Sequence, residues 1–370
     1  MKILFKRLLI KSVKNIFLIV ILFSITTCLG QKENKIETMV SKIKREVNPA
    51  YVYSYDKSKF VPEEGKTLLI MGQTVESINE YMDSFPNQAI PAGWSAYWGV
   101  PEFKGIKESH KTDSGDRQNH QMLIDRFPNT VMHSAMWMVG KWDVAKKAGK
   151  GDYDKVLKKY AAWANSIDRP IYLRIGYEFD GHHNELEPEE YVKAYKHIVD
   201  LLRKKGANNI AFVWHSYASE PYKNYKLSDW YPGDDYVDWI GISVFGHAYD
   251  NSDFGIHCDN VLQFAKLKKK PVMIAESNPV KGIYKDNIDA WDQWFVNFFT
   301  FIYNKNIKAV SFINQDWKTL SIQGIEEWKD ARLYNNEQIS KAWFMETNKD
   351  RYLKQSTELF EQLGYDKNEK

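Results

Sequence analysis

The chain has 370 residues, 44% of them hydrophobic and 27% charged, which is too long for a small disulfide scaffold and too apolar for a disordered chain. Its two cysteines, Cys28 and Cys258, and the lack of any CxxC or Cys/His spacing exclude a disulfide framework and a structural zinc site. The formal charge of +3 comes from the start of the chain: 51 basic residues less Lys2, Lys6, Arg7, Lys11 and Lys14 leaves 46 against 48 acidic, a net −2, which is not the balance of a nucleic-acid binder.

Those five cations precede an apolar run from Ile16 to Ile25 that is short for a bilayer span and ends in Thr26, Thr27 and Cys28. A bacterial export signal is built this way, and residues 1–30 are expected to be one. Ile25-Thr26-Thr27-Cys28 is similar to a lipoprotein signal box, in which Cys28 is lipidated and becomes the first mature residue; simple cleavage near Gly30 is the alternative. Either route is expected to export the chain, as a secreted or periplasmic protein or, where Cys28 is lipidated, as an outer-membrane lipoprotein whose membrane contact is that lipid. Residues 31–45 read as a polar lead-in and 46–370 as one catalytic domain.

Within that domain, short apolar runs rich in branched and aromatic residues alternate with segments of helical period. The runs are Thr67 to Gly72, Ile90 to Trp98, Thr130 to Val139, Pro170 to Glu178, Asn209 to Ser216, Val237 to Phe245, Pro271 to Glu276 and Ile307 to Trp317. Helices are expected at 74–85, 115–127, 151–167, 188–205 and 259–269, and in the aromatic stretch from Trp291 to Tyr303. Runs such as Val272-Met273-Ile274-Ala275 are apolar on both faces, as parallel strands between two packed layers must be. Eight such units predict a TIM (β/α)8 barrel. A doubly wound sheet is the rival, but no GxGxxG or Walker A motif follows any run.

Two of the runs, the fourth and the seventh, close on a carboxylate, Glu178 and Glu276. A buried strand ending in glutamate is costly unless the carboxylate faces a polar cleft, and barrel enzymes place their chemistry at the C-terminal ends of strands. A pair of carboxyl groups ~5 Å apart suits retaining glycoside hydrolysis, one protonated as acid and one ionised as nucleophile. For either glutamate alone, a surface charge or an ion pair such as Glu178 with Arg174 explains the residue as well.

Arg174-Ile-Gly-Tyr-Glu178-Phe-Asp-Gly181 resembles the acid/base strand of glycoside hydrolase family 26 in clan A, whose usual form is Arg-Pro-x-His-Glu-Met-Asn/Asp-Gly. Phe212-Val213-Trp214, the segment from Tyr231 to Gly241, and Lys270 to Glu276 resemble successive elements of the same family. The resemblance implies that Glu178 is the acid/base, that Glu276 is the nucleophile, and that Arg174, Tyr177 and Asp180 line the substrate site without any cofactor or metal. It implies a β-mannan or β-1,3-xylan substrate, with a modified algal polysaccharide as a third class. Tyr177 stands where the family's mannanases carry histidine, and Phe245 where the family tends to carry a tyrosine that bonds the nucleophile, leaving His247 or Tyr249 as substitutes.

Thirteen tryptophans are present, and Trp98, Trp137, Trp214 and Trp317 fall at or near run ends, where flat rings stack on sugars. His133, His182, His183, His215 and His247 fall there too and can bond sugar hydroxyls; adjacent side chains such as His182 and His183 diverge, which argues against a metal. The expectation is a retaining, endo-acting β-glycosidase, with a non-catalytic glycan-binding protein on the same scaffold as the alternative.

Overall fold

The computed structural model describes residues 34–250 and 254–366; the expected signal peptide and Cys28 lie outside them. Eight parallel strands form the barrel: β1 (Thr67–Gly72), β2 (Gly93–Gly99), β3 (Val131–Trp137), β4 (Ile171–Ile175), β5 (Ile210–Ser216), β6 (Trp239–Val244), β7 (Val272–Ser277) and β8 (Ala309–Ile313). Each pairs with its neighbours in chain order, and β8 closes on β1 with Leu68 opposite Ala309 and Gly72 opposite Ile313. The two-residue strand Tyr352–Leu353 adds to the start of β1.

The expected helices form, except that the one expected at 115–127 is confined to His120–Arg126 because Arg117–Gln118 pairs with His110–Lys111 as a short antiparallel hairpin. Val75–Ser84 starts on a capping box in which Thr74 and Ser77 bond each other's backbone N–H. Pro188–Lys204 has proline in its first turn beside Glu189 and Glu190 and ends on Arg203 and Lys204, so its charges oppose the helix dipole. The aromatic stretch begins with a π turn, Trp291–Phe295, before continuing as Val296–Asn304. Val144–Lys150 and Glu337–Thr347 add helices that no clear period announces.

The polar lead-in requires a correction. Residues 34–41 are helical, and Ile36, Met39, Val40 and Ile43 are buried in the same core as the barrel helices. Trp291 donates to the Met39 carbonyl at 2.8 Å and Arg45 bonds Glu346 at 2.7 Å, so this segment is part of the domain.

Alternation along the strands sorts the barrel interior into two levels. Leu68, Ile70, Val131, Tyr172, Ala211, Trp239, Met273 and Ala309 form an apolar plug. Above it, toward the C-terminal ends, the same faces carry Ser95, Tyr97, His133, Arg174, His215 and Ser243.

Candidate active site

Two local distortions bring the glutamates into that upper level. Met273 and Ala275 of β7 face the interior, so strict alternation would turn Glu276 outward. A bulge intervenes: the register with β6 shifts so that Ile242 opposes Ile274 but Ser243 opposes Glu276, and the extra residue re-aims the carboxylate inward. After β4 the chain passes through the left-handed region at Gly176 (φ 55°) and again at Glu178 (φ 52°). At Gly176 a Cβ would lie 2.8 Å from Met138 Cε and 3.0 Å from Tyr191 Cε2, which adds crowding to the strain that any other residue meets at this φ.

Arg174 joins the two sides of the barrel. Fully buried, its guanidinium donates to Glu276 Oε1 and, at 3.3 Å, to Ser95 Oγ, and lies 3.4 Å from His215 Nδ1. Its carbon stands 4.9 Å above the Tyr97 ring and 5.4 Å from that of Tyr177. His215 Nε2 continues to Ser243 Oγ at 3.1 Å, and Ser243 in turn donates to Glu178 Oε1. A polar chain thus runs Glu276, Arg174, His215, Ser243, Glu178 across the mouth. Burial, followed by the Arg174 charge, depresses His215 to about 3 and His133 well below its ordinary value, so both imidazoles are neutral.

The two carboxyl groups differ. Burial pushes Glu276 up, and Arg174 partly offsets this while the Glu178 charge adds to it. Burial also acts upward on Glu178, but it is outweighed by His183, whose Nε2 donates to Oε2 at 2.8 Å, with help from His215 and Ser243, so Glu178 is held well below the usual carboxylate range. In the unliganded site the ionisation preference is therefore the reverse of what an acid/base and a nucleophile need.

Several expected substrate contacts prove to be supports. Trp98 alternates outward, is stacked on Tyr160 at 4.4 Å and bonds Ser134, so it belongs to the helix layer. Trp214 likewise stacks on Phe179 at 4.3 Å and donates to the Trp230 carbonyl. Arg174 and His215 are fully buried under the mouth and hold the carboxylates in place. Asp180 is 2% exposed and accepts from Ser216 Oγ and the Tyr217 N–H at 2.5 and 2.6 Å, which ties the β4 loop to the β5 loop. His247 bonds the Ala218 carbonyl at 3.0 Å, and Tyr249 accepts from the Lys281 N–H, so neither replaces the tyrosine missing at Phe245. Phe245 itself packs on Trp328 at 4.7 Å.

Tyr177, Trp137 and Trp317 stay at the mouth. Tyr177 meets Tyr97 edge-on at 5.3 Å. Trp137 is half-buried and tilts against Trp142, which is 59% exposed. Trp317 is nearly covered, buttressed edge-on by Trp328 at 4.9 Å, and its indole nitrogen has no partner. Sequence reasoning missed Tyr97, Ser243 and Trp142. Tyr97 is placed by β2, and its hydroxyl lies beside Glu276 and Arg174, favouring the carboxylate form of Glu276. Among the described residues no group of three or more His, Cys, Asp or Glu is placed to hold a metal ion. A cavity of about 890 Å³ lies at the opposite end of the barrel between Phe60, Asn208 and Tyr365 and holds neither glutamate.

A family model described as glycosyl hydrolase family 26 matches residues 146–337, a span that contains both Glu178 and Glu276. The chain belongs to that family. This family 26 chain is a glycoside hydrolase, and it is 29% identical over 331 residues to the beta-1,3-xylanase TXYA of a Vibrio species, covering 83% of this chain and 70% of the relative. A beta-1,3-xylanase of an Alcaligenes species is also 29% identical over 331 residues, covering 83% and 68%. The fold is similar to that of a family 26 beta-mannanase from Bacteroides ovatus, with a TM-score of 0.56, 14% identity and coverage of 80% and 93%.

Proposed function

We propose that this family 26 hydrolase cleaves β-1,3-xylan internally by double displacement, with Glu178 as acid/base and Glu276 as nucleophile. The observation that carries the roles is the placement of both glutamates in one polar layer, joined through Arg174, His215 and Ser243. Arg174 and Tyr97 offset part of the burial that raises Glu276 and so act toward the ionised form that attack on an anomeric carbon requires. As the C–O bond breaks, Glu178 supplies the proton to the leaving oxygen; in the second half it takes a proton from water, which displaces Glu276 from the sugar. Trp137 and Trp142 offer a ring surface beside the mouth for further sugars. The β-1,3-xylan class is supported by the two relatives that match over most of both chains, with β-mannan as the runner-up. The cationic and then apolar N-terminus supports export, and incorporation of labelled palmitate, lost in Cys28→Ser, would distinguish a lipid anchor from simple cleavage.

The experiment is a substrate comparison. Glu178→Gln should nearly abolish hydrolysis of polysaccharide, which needs protonation of a poor leaving group, while sparing the first step on activated aryl glycosides, with azide partly restoring turnover. A 2-deoxy-2-fluoro glycoside should label the peptide containing Val272 to Pro279, and proton NMR should show retention. Inversion, or equal loss on both substrate types, removes the assigned roles. A panel of β-1,3-xylan, β-1,4-xylan, mannan, β-glucan and red-algal galactans assigns the substrate.

A further inference from the structure

The Glu178 carboxylate is not free in the resting site: His183, five residues on, folds back onto it. The loop is built for this. At Gly181 a Cβ would lie 2.5 Å from His183 Cε1 and 2.9 Å from Nδ1, so only glycine admits the imidazole. Asn184, 4% exposed, pins the turn by donating to the Tyr177 and Glu178 carbonyls at 2.9 and 3.0 Å. Tyr217, from the loop after β5, meets the imidazole edge-on at 5.3 Å. His183 Nε2 thus stands 2.8 Å from Glu178 Oε2, while 49% of the His183 side chain remains open to the mouth.

We propose that His183 is a positioning residue that stores the proton Glu178 delivers. This rests on Glu178 being the acid/base. In the resting site the pair holds one proton, on Nε2. A sugar entering the mouth displaces water from the half-exposed ring, which weakens the charged pair relative to its neutral form. The proton then passes from Nε2 to Oε2, leaving neutral imidazole and a carboxylic acid. That acid protonates the glycosidic oxygen as the C–O bond breaks; when Glu178 later takes a proton from the attacking water, it returns to the imidazole on product release. One proton is held at the start and at the end, and no other donor is needed.

The charges facing His183 agree with this. From its own loop come Glu178 and Asp180, and from β7 Glu276, all of which favour the imidazolium. From β5 comes His215, kept neutral, and from the next loop the Tyr217 phenol, which burial keeps protonated at neutral pH. Burial alone would lower His183, but Glu178 raises it above its ordinary value. The alkaline limit of activity then belongs to the loss of the shared proton from the pair.

The test is the pH profile of kcat/KM for His183→Gln on β-1,3-xylo-oligosaccharides and on an aryl glycoside with a good leaving group, together with histidine NMR of the unliganded enzyme. The alkaline limb should fall by about one pH unit, a tenfold loss above it, for the oligosaccharides and not for the aryl glycoside. The His183 signal, identified by its absence in His183→Gln, should titrate above the ordinary histidine value and drop in Glu178→Gln. A variant that loses rate equally at every pH without moving the limb, or a His183 that titrates at its ordinary value, overturns the proposal. If Glu178→Gln fails to separate polysaccharide from aryl glycoside, the acid/base assignment itself has failed, whatever His183 does.

Discussion

Arg174→Met tests the polar layer most directly, because it keeps the bulk of the side chain and removes the one cation among the described residues that bonds Glu276. Both partners are essentially out of water, with side-chain exposures of 0% and 9%, so the pair is not screened as a surface pair would be. Breaking a buried pair from one side costs ~3–5 kcal/mol, because the remaining charge is left uncompensated. Glu276 can escape part of that cost by taking up a proton. Its carboxyl is already raised by burial, and losing Arg174 raises it further. A carboxyl raised above its unfolded value binds more protons folded than unfolded, so stability falls as pH rises from the ordinary glutamate value through the folded one. Urea unfolding should therefore show a smaller loss for Arg174→Met near pH 5 than near pH 8, and the acid limb of kcat/KM should move upward, since more of the nucleophile is protonated. Arg174→Met combined with Glu276→Gln should regain stability over the single variant, as two coupled sites must. An equal loss at both pH values, an unmoved acid limb and additive effects would together refute the reasoning.

Trp98→Ala should lower stability by ~3–5 kcal/mol, as expected for a buried aromatic, with KM unchanged, since Trp98 stacks on Tyr160 away from the mouth; chemical denaturation and steady-state kinetics check both. Trp142→Ala should leave the melting temperature unchanged and raise KM several-fold for polysaccharide more than for short oligosaccharides, because the ring is 59% exposed beside Trp137. Tyr97→Phe removes only a hydroxyl that favours the carboxylate form of Glu276; the acid limb should move upward with folding intact.

The barrel was legible because its strands are buried on both faces, which leaves unbroken runs such as Val272 to Ala275 that no half-exposed strand would show. The same property hid which side chains point inward. Trp98 and Trp214 lie at or near the ends of runs that are largely apolar on both faces, so only the position of Ser95, Tyr97 and His215 on the alternate face reveals that the tryptophans look toward the helices. Glu276 stood out as a charge ending an apolar run, but the bulge that turns it inward carries no residue signature, since Ala275 fits either register. Ser243 was invisible because a lone serine in a strand has no pattern of its own. His183 was noted as a histidine near a strand end, yet its contact with Glu178 depends on the missing Cβ of Gly181 and the grip of Asn184, which are three-dimensional facts.

The closure of β8 on β1 has a consequence for how the molecule is made. Residues 67–72 emerge early and find β2 within a few dozen residues, but the other edge of β1 has no partner until residues 309–313 follow. Until those residues emerge the chain carries an unpaired strand edge, a template for association with other chains. Folding dominated by so distant a pairing is slow. A barrel of this topology loses that sticky edge only when its eighth strand has been made.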